Sequence, residues 1–260
     1  RQATGTRLMF MQSSGGLTDA ALFQGKTLSY RPVAGGISNP NFRVTTAEDG
    51  KHYFVKIPGA GTEMFIDRAA AFDASRKAAA QGVGPRVYDD LYEDGIEIND
   101  FMSDRRSCTN TDFGQPGPRL AAIEAYRAFH AVAPLSLTKT VFDMIEEHDR
   151  QITELGGWRP PDYPWLMDQY RMARRALEAS GLDLVPCFND PMAGNFMIGS
   201  DGSIMLIDYE YASMNDRCYD FGIWFGEMFF SREIEMELLE AYFGSVSEQT
   251  YARVIVHKAL

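Results

Sequence analysis

The chain has 260 residues, of which 36 are acidic and 25 are basic, so its formal net charge at neutral pH is −11. This negative charge argues against a nucleic-acid partner, because phosphate backbones recruit basic surfaces. A hydrophobic content of 45% with mixed charge predicts a folded globular protein rather than a disordered one.

Cysteine usage and hydropathy indicate the compartment. Cys108, Cys187 and Cys218 are odd in number and widely spaced, which predicts reduced thiols rather than disulfides or a zinc site. No apolar run is long enough to cross a membrane, and the N-terminus lacks the pattern of a signal peptide. We therefore expect a cytoplasmic protein without membrane insertion. The chain opens on Arg1 and closes within a predicted helix at Leu260, so we also expect missing segments at both ends.

The first predicted elements are β-strands, because apolar and polar residues alternate between turn signals at Gly35-Gly36 and at residues 48–50. The three strands are predicted at residues 30–33, 41–45 and 52–57. Glycine lets backbone amides approach a phosphate closely, and Lys56 on the third strand is placed to reach the same phosphates. Alone, the glycines would indicate only a turn, and Lys56 would be explained as an ordinary solvent-exposed lysine. Together they predict a phosphate site.

The next segments predict one helix, two more strands and then a mainly helical region. An alanine-rich pattern predicts a helix from about 63 to 80. The polar, Gly- and Pro-rich segment 103–117 marks a boundary between residues 1–102 and 103–260. The two strands are predicted at 87–91 and 96–102, and the helices beyond the boundary at about 118–131, 138–155 and 163–180.

The most informative spacing follows these helices. Asp190 precedes Asn195 by five residues, and a later apolar run ends at a second acid, Asp208. The apolar runs 196–198 and 204–207 flank a Gly-Ser-Asp-Gly turn and predict a β-hairpin. Such a hairpin would bring Asn195 and Asp208 to the same end of two paired strands.

This spacing suits phosphoryl transfer. The reaction needs a carboxylate that accepts the proton of an attacking hydroxyl, and oxygen ligands that hold Mg²⁺ against the phosphates of ATP. Asp190 can act as the proton acceptor, and Asn195 with Asp208 can bind the metal. Either segment alone is explained as well by a common turn or a strand end. Together, in this order, they predict a kinase catalytic loop and its metal-binding Asp.

The same segments resemble the choline/ethanolamine kinase family, within the wider group of aminoglycoside-phosphotransferase-like enzymes. The resemblance covers about residues 30 to 230. It is carried by Asn189-Asp190, Gly194-Asn195-Phe196, Ile207-Asp208-Tyr209-Glu210-Tyr211-Ala212-Ser213, Arg217-Cys218-Tyr219-Asp220 and, upstream, Gly35-Gly36-Ile37-Ser38-Asn39. It implies an α/β (α+β), bilobal, protein-kinase-like fold with a small β-rich N-terminal lobe (1–102) and a larger, mainly helical C-terminal lobe (103–260).

The resemblance also implies residue roles. Backbone groups near residues 99–102 would bind adenine, and Asp220 would anchor the catalytic loop. The implied phosphate-binding residues are Gly35, Gly36, Ser38, Asn39 and Lys56.

The chain departs from the family pattern at two places. Phe188 stands where the catalytic loop usually has a His, which loses a hydrogen bond of about 1 kcal/mol. The helix after the third strand normally supplies a Glu that pairs with the strand Lys, but residues 69–71 are alanines. The nearby acids Glu63, Asp67 and Asp73 do not fit cleanly, so the partner of Lys56 is open.

Glu227, Tyr211 and Trp224 are the candidates for the acceptor pocket. By resemblance, a Glu matching Glu227 lies in the substrate region near aromatic residues. Aromatic rings and a carboxylate suit a quaternary ammonium through cation–π and charge attraction. A core aromatic cluster with one exposed Glu explains the same residues equally well.

The sequence thus predicts an ATP- and Mg²⁺-dependent kinase that phosphorylates the hydroxyl of a small amino alcohol, with choline preferred and ethanolamine second. One alternative is a same-fold kinase for an antibiotic or for thiamine. Another is a catalytically weak pseudokinase that acts as a binding module, although pseudokinases commonly lose one of Asp190, Asn195 and Asp208. A homodimer is left open.

Overall fold

The computed structural model describes residues 17, 20–34, 39–59, 61–62, 66–89, 91–92 and 95–260. The predictions for Gly35, Gly36 and Ser38 lie outside these residues, as does Glu63. Asn39, the last residue of the predicted phosphate loop, lies within them.

The first half of the described chain forms an antiparallel sheet of five strands with one helix beside it. The strand order is β1-β2-β3-β5-β4, and helix α1 follows β3 in the chain. The elements are β1 (Leu28–Pro32), β2 (Asn41–Thr46), β3 (His52–Lys56), α1 (Arg68–Ala80), β4 (Val87–Tyr88) and β5 (Glu97–Asp100). All five strands overlap the predicted ones. The predicted helix start is too early, because Asp67 caps α1 by accepting a hydrogen bond from the amide of Ala70.

Apolar and polar residues alternate along the strands and give the sheet two different faces. On one face lie Phe42, Val44, Tyr53, Val55 and Ile98, all buried in an apolar cluster. The other face carries Lys56, its cross-strand neighbours in β2 and β5, and further polar side chains. The period-2 pattern of the strands therefore fixes the direction in which Lys56 points.

The second half of the described chain is mainly helical, with two small sheets. One sheet has the order β6-β8-β9, and in the other β7 pairs with β10. The strands are β6 (Arg105–Ser107), β7 (Leu184–Cys187), β8 (Phe196–Gly199), β9 (Ile204–Leu206) and β10 (Ser213–Asp216). The helices are α2 (Pro116–His130), α3 (Val141–Glu154), α4 (Tyr163–Ala179), α5 (Arg217–Met228), α6 (Arg232–Phe243) and α7 (Glu248–Ala259).

The predicted hairpin is confirmed, because β8 and β9 pair antiparallel with Phe196 opposite Leu206 and Ile198 opposite Ile204. The three predicted helices match α2, α3 and α4 to within three residues at each end. The predicted start of α3 is too early, because Thr140 and Asp143 form a capping box that begins the helix at Val141.

The largest apolar cluster joins α2, the β8–β9 hairpin and α5. Its centre is aromatic, with Tyr126, Phe129, Phe196, Phe221 and Trp224 fully buried. Burial of one such side chain stabilises the fold by about 1.5–3 kcal/mol. This cluster lies beneath the catalytic loop and gives it a rigid base.

A β-rich first part and a mainly helical second part agree with the predicted α+β class. The last strand of the large sheet ends at Asp100, and β6 begins at Arg105. The lobe bounds 1–102 and 103–260 stay a prediction. Within the described ranges, no helix combines the length and apolar character that crossing a membrane requires.

Candidate active site

The predicted catalytic loop follows β7 and is held by the side chain of Asn189. The Asn189 amide nitrogen donates hydrogen bonds to the carbonyl of Tyr211 and the hydroxyl of Ser213, both at 2.8 Å. Its amide oxygen accepts one from Asn215 at 3.1 Å. Asn189 has a φ of 63°, a left-handed conformation that Asn tolerates better than most residues. The loop is thus fixed to the segment that leads through β10.

Asp220 holds the same loop through its backbone. The amides of Phe188 and Asn189 donate to the two carboxylate oxygens of Asp220, each at 2.7 Å. Asp220 lies in the first turn of α5 and is fully buried. The ring of His130 lies 3.0 Å from this carboxylate and 2.9 Å from the hydroxyl of Tyr242. His130 therefore supports the anchor of the loop.

Phe188 fills the position of the usual loop His without loosening the loop. Its ring is fully buried and meets Phe129, Phe196 and Tyr209 edge-on, with ring centres 5.4–6.4 Å apart. The loop is tied by backbone bonds to Asp220 rather than by the side chain at position 188. Phe188 therefore contributes packing, while the backbone bonds to Asp220 hold the loop.

The carboxylate of Asp190 is held by Asn195 in a partly buried, acidic setting. The Asn195 amide nitrogen donates to Oδ2 of Asp190 at 2.9 Å and to its carbonyl at 3.2 Å. Burial, and then the negative charge of Asp208, raise the pKa of Asp190 to about 6, although the bond from Asn195 opposes this. Glu210 and Glu227 contribute further negative charge. A carboxylate with this pKa is suited to accept a proton near neutral pH.

The β8–β9 hairpin brings the two predicted metal ligands together. The amide of Ile207 donates to the carbonyl of Asn195 at 3.0 Å, so Asn195 and Asp208 lie at the same end of the hairpin. Asp208 has a φ of 68°, which is rare for a residue other than glycine and is often found at functional sites.

The donor set fits a magnesium ion. Within the part of the chain that the structure describes, no donor contacts the amide oxygen of Asn195, because its nitrogen makes the bonds to Asp190. Asp208 uses only Oδ1 in its ion pair. An amide oxygen and a carboxylate oxygen are hard ligands of the kind that Mg²⁺ prefers.

Lys56 reaches this group from the large sheet. Its Nζ lies 2.7 Å from Oδ1 of Asp208 and 2.5 Å from Oε1 of Glu210. Burial alone would lower the pKa of Lys56, but the charges of Asp208, Glu97 and Glu210 outweigh it and raise the pKa. Asn39 donates to the same Glu210 oxygen at 2.7 Å. Lys56 and Asn39 therefore lie together at the end of the hairpin that carries Asn195 and Asp208.

Two acids near Lys56 were missed by sequence reasoning. Glu210 lies two residues after Asp208, in a segment that was noted only for its family resemblance. Glu97 lies directly opposite Lys56 in the β3–β5 pairing and accepts a hydrogen bond from Asn99 at 2.7 Å. Apolar and polar residues alternate over 96–99, and this pattern places Glu97 and Asn99 on one face of the strand. Without the strand register, that face could not be matched to Lys56.

The three predicted acceptor residues lie in different environments. Tyr211 is 47% exposed, and Glu227 is exposed in the last turn of α5. Burial and the charges of Glu210 and Asp190 raise the pKa of Tyr211, so its hydroxyl belongs to the same acidic site.

Trp224 is wrongly assigned to the acceptor pocket. Its side chain is 0% exposed, and its ring packs against Phe113, Phe196 and Phe230 at centre distances of 5.3–5.9 Å. Trp224 precedes Glu227 by three residues, so the two side chains share a face of α5. That face enters the aromatic core one turn before the helix ends. Trp224 therefore offers no ring face to a ligand in this structure.

Known proteins with related sequences were compared with this chain. A family model described as choline/ethanolamine kinase matches residues 30–248. Human choline/ethanolamine kinase is 26% identical over 226 residues, which cover 78% of this chain and 55% of the human protein. The chain spans about half the length of the curated relatives it matches.

Solved structures show the same fold. A choline/ethanolamine kinase family protein from Mesorhizobium loti is 27% identical, with a TM-score of 0.80 over 96% of this chain and 81% of its own. Choline kinase LicA from Streptococcus pneumoniae is 24% identical, with a TM-score of 0.75 over 97% and 85%. LicA in complex with AMP is 25% identical, with a TM-score of 0.72 over 97% and 84%. These likenesses confirm the predicted kinase-like fold class.

Proposed function

The chain belongs to the choline/ethanolamine kinase family, and on this basis we propose that it transfers the γ-phosphate of ATP to the hydroxyl of a small amino alcohol. Choline is the preferred acceptor and ethanolamine the second. The observation that carries the proposal is the junction of Asp190, Asn195, Asp208 and Lys56 at one end of the β8–β9 hairpin. This group combines a base, a metal-ligand pair and a phosphate-binding cation.

Asp190 is the proton acceptor in this proposal. The bond from Asn195 fixes one carboxylate oxygen, which leaves the other free to meet the hydroxyl of the acceptor. A base is most effective when its pKa lies near the working pH, and the pKa of about 6 meets this condition. The backbone bonds from the loop to Asp220 hold the base in place.

The phosphates are bound from both parts of the chain. Lys56 and Asn39 approach from the large sheet, and Asn195 and Asp208 provide the ligands that would hold Mg²⁺. The bound ion neutralises phosphate charge in this class of reaction. Lys56 now pairs with Asp208 and Glu210, so it has to turn from these carboxylates to the phosphates when the nucleotide enters. The complex of the related LicA with AMP supports an adenine nucleotide as the donor.

A cationic acceptor is favoured by the charges around the base. The negative charges of Asp208, Glu210 and Glu227 all help to raise the pKa of Asp190. Their combined negative potential attracts an ammonium group. The half-exposed ring of Tyr211 adds an aromatic face, which suits a quaternary ammonium that has no N–H groups to donate.

Steady-state assays test this proposal. Purified protein is supplied with Mg·ATP and, in separate reactions, choline, ethanolamine, thiamine and an aminoglycoside, and ADP release is measured. We expect acceptor-dependent ADP release with choline and a weaker response with ethanolamine. Turnover only with thiamine or the aminoglycoside would assign the chain to another acceptor. Binding of Mg·ATP without turnover of any acceptor would favour the pseudokinase alternative.

A further inference from the structure

Among the residues that the structure describes, both carboxylates that touch Lys56 come from the other half of the chain. Asp208 and Glu210 follow β9, whereas Lys56 lies at the end of β3 in the large sheet. Asp208 is also the proposed metal ligand, and Glu210 already accepts a hydrogen bond from Asn39. If Lys56 leaves these carboxylates for a phosphate, another negative charge is needed to keep it in place. That charge should belong to the same sheet as Lys56.

Helix α1 does not supply that charge among its described residues. Ala71 lines the same small cavity as Lys56, and its side chain carries no charge. Asp67 is engaged as the cap of the helix. Asp73 accepts hydrogen bonds from Lys77 at 2.7 Å and from the amide of Ser136 at 2.8 Å.

Glu97 is placed to supply the charge instead. It is the cross-strand neighbour of Lys56, and directly opposed residues of paired strands have Cβ atoms about 4.5–5.5 Å apart. Glu97, Lys56, Glu210 and Ala71 line one cavity of about 30 Å³, which has room for about one water molecule. Asn99 donates to Oε1 of Glu97. Neither oxygen of Glu97 lies within ion-pair distance of Lys56, so a water in the cavity would bridge the second oxygen to the ammonium group.

We propose that Glu97 is the positioning residue that holds Lys56 toward the nucleotide phosphates, in the role that a helix glutamate would otherwise fill. This inference rests on the proposed kinase function. Because Glu97 and Lys56 belong to adjacent strands, their spacing is set by the sheet and does not depend on contacts between the two halves of the chain. The position of α1 then has no influence on the charge beside Lys56, in contrast to a helix-borne partner.

The test replaces Glu97 by Gln, which keeps the size of the side chain and an oxygen that can accept from Asn99. Binding of Mg·ATP is measured by calorimetry, and kcat and KM are measured separately for ATP and for choline. We expect kcat/KM for ATP to fall about 10- to 100-fold, because a charge-assisted partner of Lys56 is lost, while KM for choline stays unchanged. A purely structural role would instead lower the active fraction and leave both KM values unaltered.

Rescue and control variants complete the test. Ala71→Glu in the Glu97→Gln background returns a carboxylate to the same cavity from the helix side, and we expect it to recover part of the lost kcat/KM for ATP. Glu235→Gln is the matched control. Glu235 is also buried and accepts a hydrogen bond from a lysine, Lys258, at 2.7 Å. This pair joins α6 to α7, away from the large sheet. We expect its KM for ATP to equal that of the wild type.

The outcomes separate this inference from the proposed function. If the wild type binds Mg·ATP and phosphorylates choline while Glu97→Gln does so with the same kcat/KM for ATP, the role of Glu97 is refuted and the kinase function stands. If Glu97→Gln loses activity but the added Ala71→Glu restores none of it in a folded protein, the positioning role is also refuted. A wild type that binds no Mg·ATP overturns the proposed function itself.

Discussion

Asp190 combines two properties that oppose each other at the residue scale. Its carboxylate is partly buried among other acids, which makes it a better base but a less stable charge. A folded-state pKa of about 6, above the ordinary value of 3.8, means that the ionised form is disfavoured in the folded protein. Stability is therefore lost as the pH rises through about 6, and it is regained as the pH falls and Asp190 takes up a proton.

The first prediction follows from replacing this base. Asp190→Asn should lower kcat by about 10²- to 10⁴-fold, because the amide cannot accept the proton of the acceptor. The affinity for Mg·ATP should be nearly unchanged. At pH 7.5 the variant should also be more stable by about 1–3 kcal/mol, as urea unfolding would show. This gain should shrink toward pH 5. Near-wild-type kcat in the variant would remove Asp190 from the role of base.

The second prediction concerns pH. Because kcat/KM reports the ionisation of essential groups before the acceptor binds, its value for choline should fall about tenfold per pH unit below the pKa of Asp190. This pKa is about 6 without metal, and Mg²⁺ bound at Asp208 would lower it. The assay is run from pH 5 to pH 8 at saturating Mg·ATP, with the folded fraction checked by circular dichroism at each pH. The same loss of kcat/KM at low pH in Asp190→Asn would mean that the loss does not report the ionisation of Asp190.

The third prediction concerns the metal. Asp208→Ala removes a carboxylate that would bind both Mg²⁺ and Lys56. We expect nucleotide affinity to lose its dependence on Mg²⁺, as measured by titrating ATP with the metal present and with a chelator added. If the variant keeps the metal dependence of the wild type, Asp208 is only an ion-pair partner of Lys56.

At the scale of elements, the catalytic loop depends on α2 and α5 as much as on its own residues. Asp220 of α5 receives two loop amides, and His130 at the end of α2 contacts the same carboxylate. All the groups in this network are buried, so an unpaired donor there cannot turn to water.

The fourth prediction tests this anchor. Asp220→Asn keeps the shape of the side chain but offers only one acceptor oxygen to two loop amides. We expect the free energy of unfolding to fall by about 1–3 kcal/mol and kcat to fall with it. Asp183→Asn is the control, because Asp183 forms an exposed ion pair with Arg217 and such pairs contribute about 0–1 kcal/mol. If the two substitutions lower the free energy of unfolding and kcat equally, the buried carboxylate of Asp220 does not anchor the loop more strongly than an exposed ion pair.

The elements also show what the sequence could and could not predict. Alternation of polar and apolar residues predicted the strands and the β8–β9 hairpin, because a period of two is a local property. The hairpin then placed Asn195 beside Asp208. The partners of Lys56 could not be predicted, since Glu97 depends on strand register and Glu210 on the approach of the two halves. The assignment of Trp224 to the acceptor pocket is wrong, because residue spacing shows which side chains share a helix face but not which face is buried.

At the scale of the whole molecule, the site is assembled between two differently built halves. The first half brings Lys56 and Asn39, and the second half brings the proposed base and the proposed metal ligands. The ion pairs of Lys56 with Asp208 and Glu210 join the halves before nucleotide is present. A cytoplasmic location and a homodimer stay predictions.

The fifth prediction concerns the acceptor. Glu227→Gln removes a charge near Asp190 without changing the length of the side chain. We expect KM for choline to rise about 5- to 30-fold with a smaller change in kcat, because ground-state attraction is lost. The comparison with a neutral alcohol as acceptor is the control, since its KM should not change. Normal handling of choline by this variant would exclude Glu227 from the acceptor site.

The central claim is that this chain moves phosphate from ATP to the hydroxyl of an amino alcohol with Asp190 as the base. Its most direct test is to incubate wild type and Asp190→Asn with Mg·ATP and choline or ethanolamine, and to identify the products by mass spectrometry. The account predicts phosphocholine from the wild type, formed one-to-one with ADP, less phosphoethanolamine, and at least about 10²-fold less of either from the variant. Bound Mg·ATP with no phosphorylated amino alcohol from the wild type, or equal product from both proteins, would contradict it.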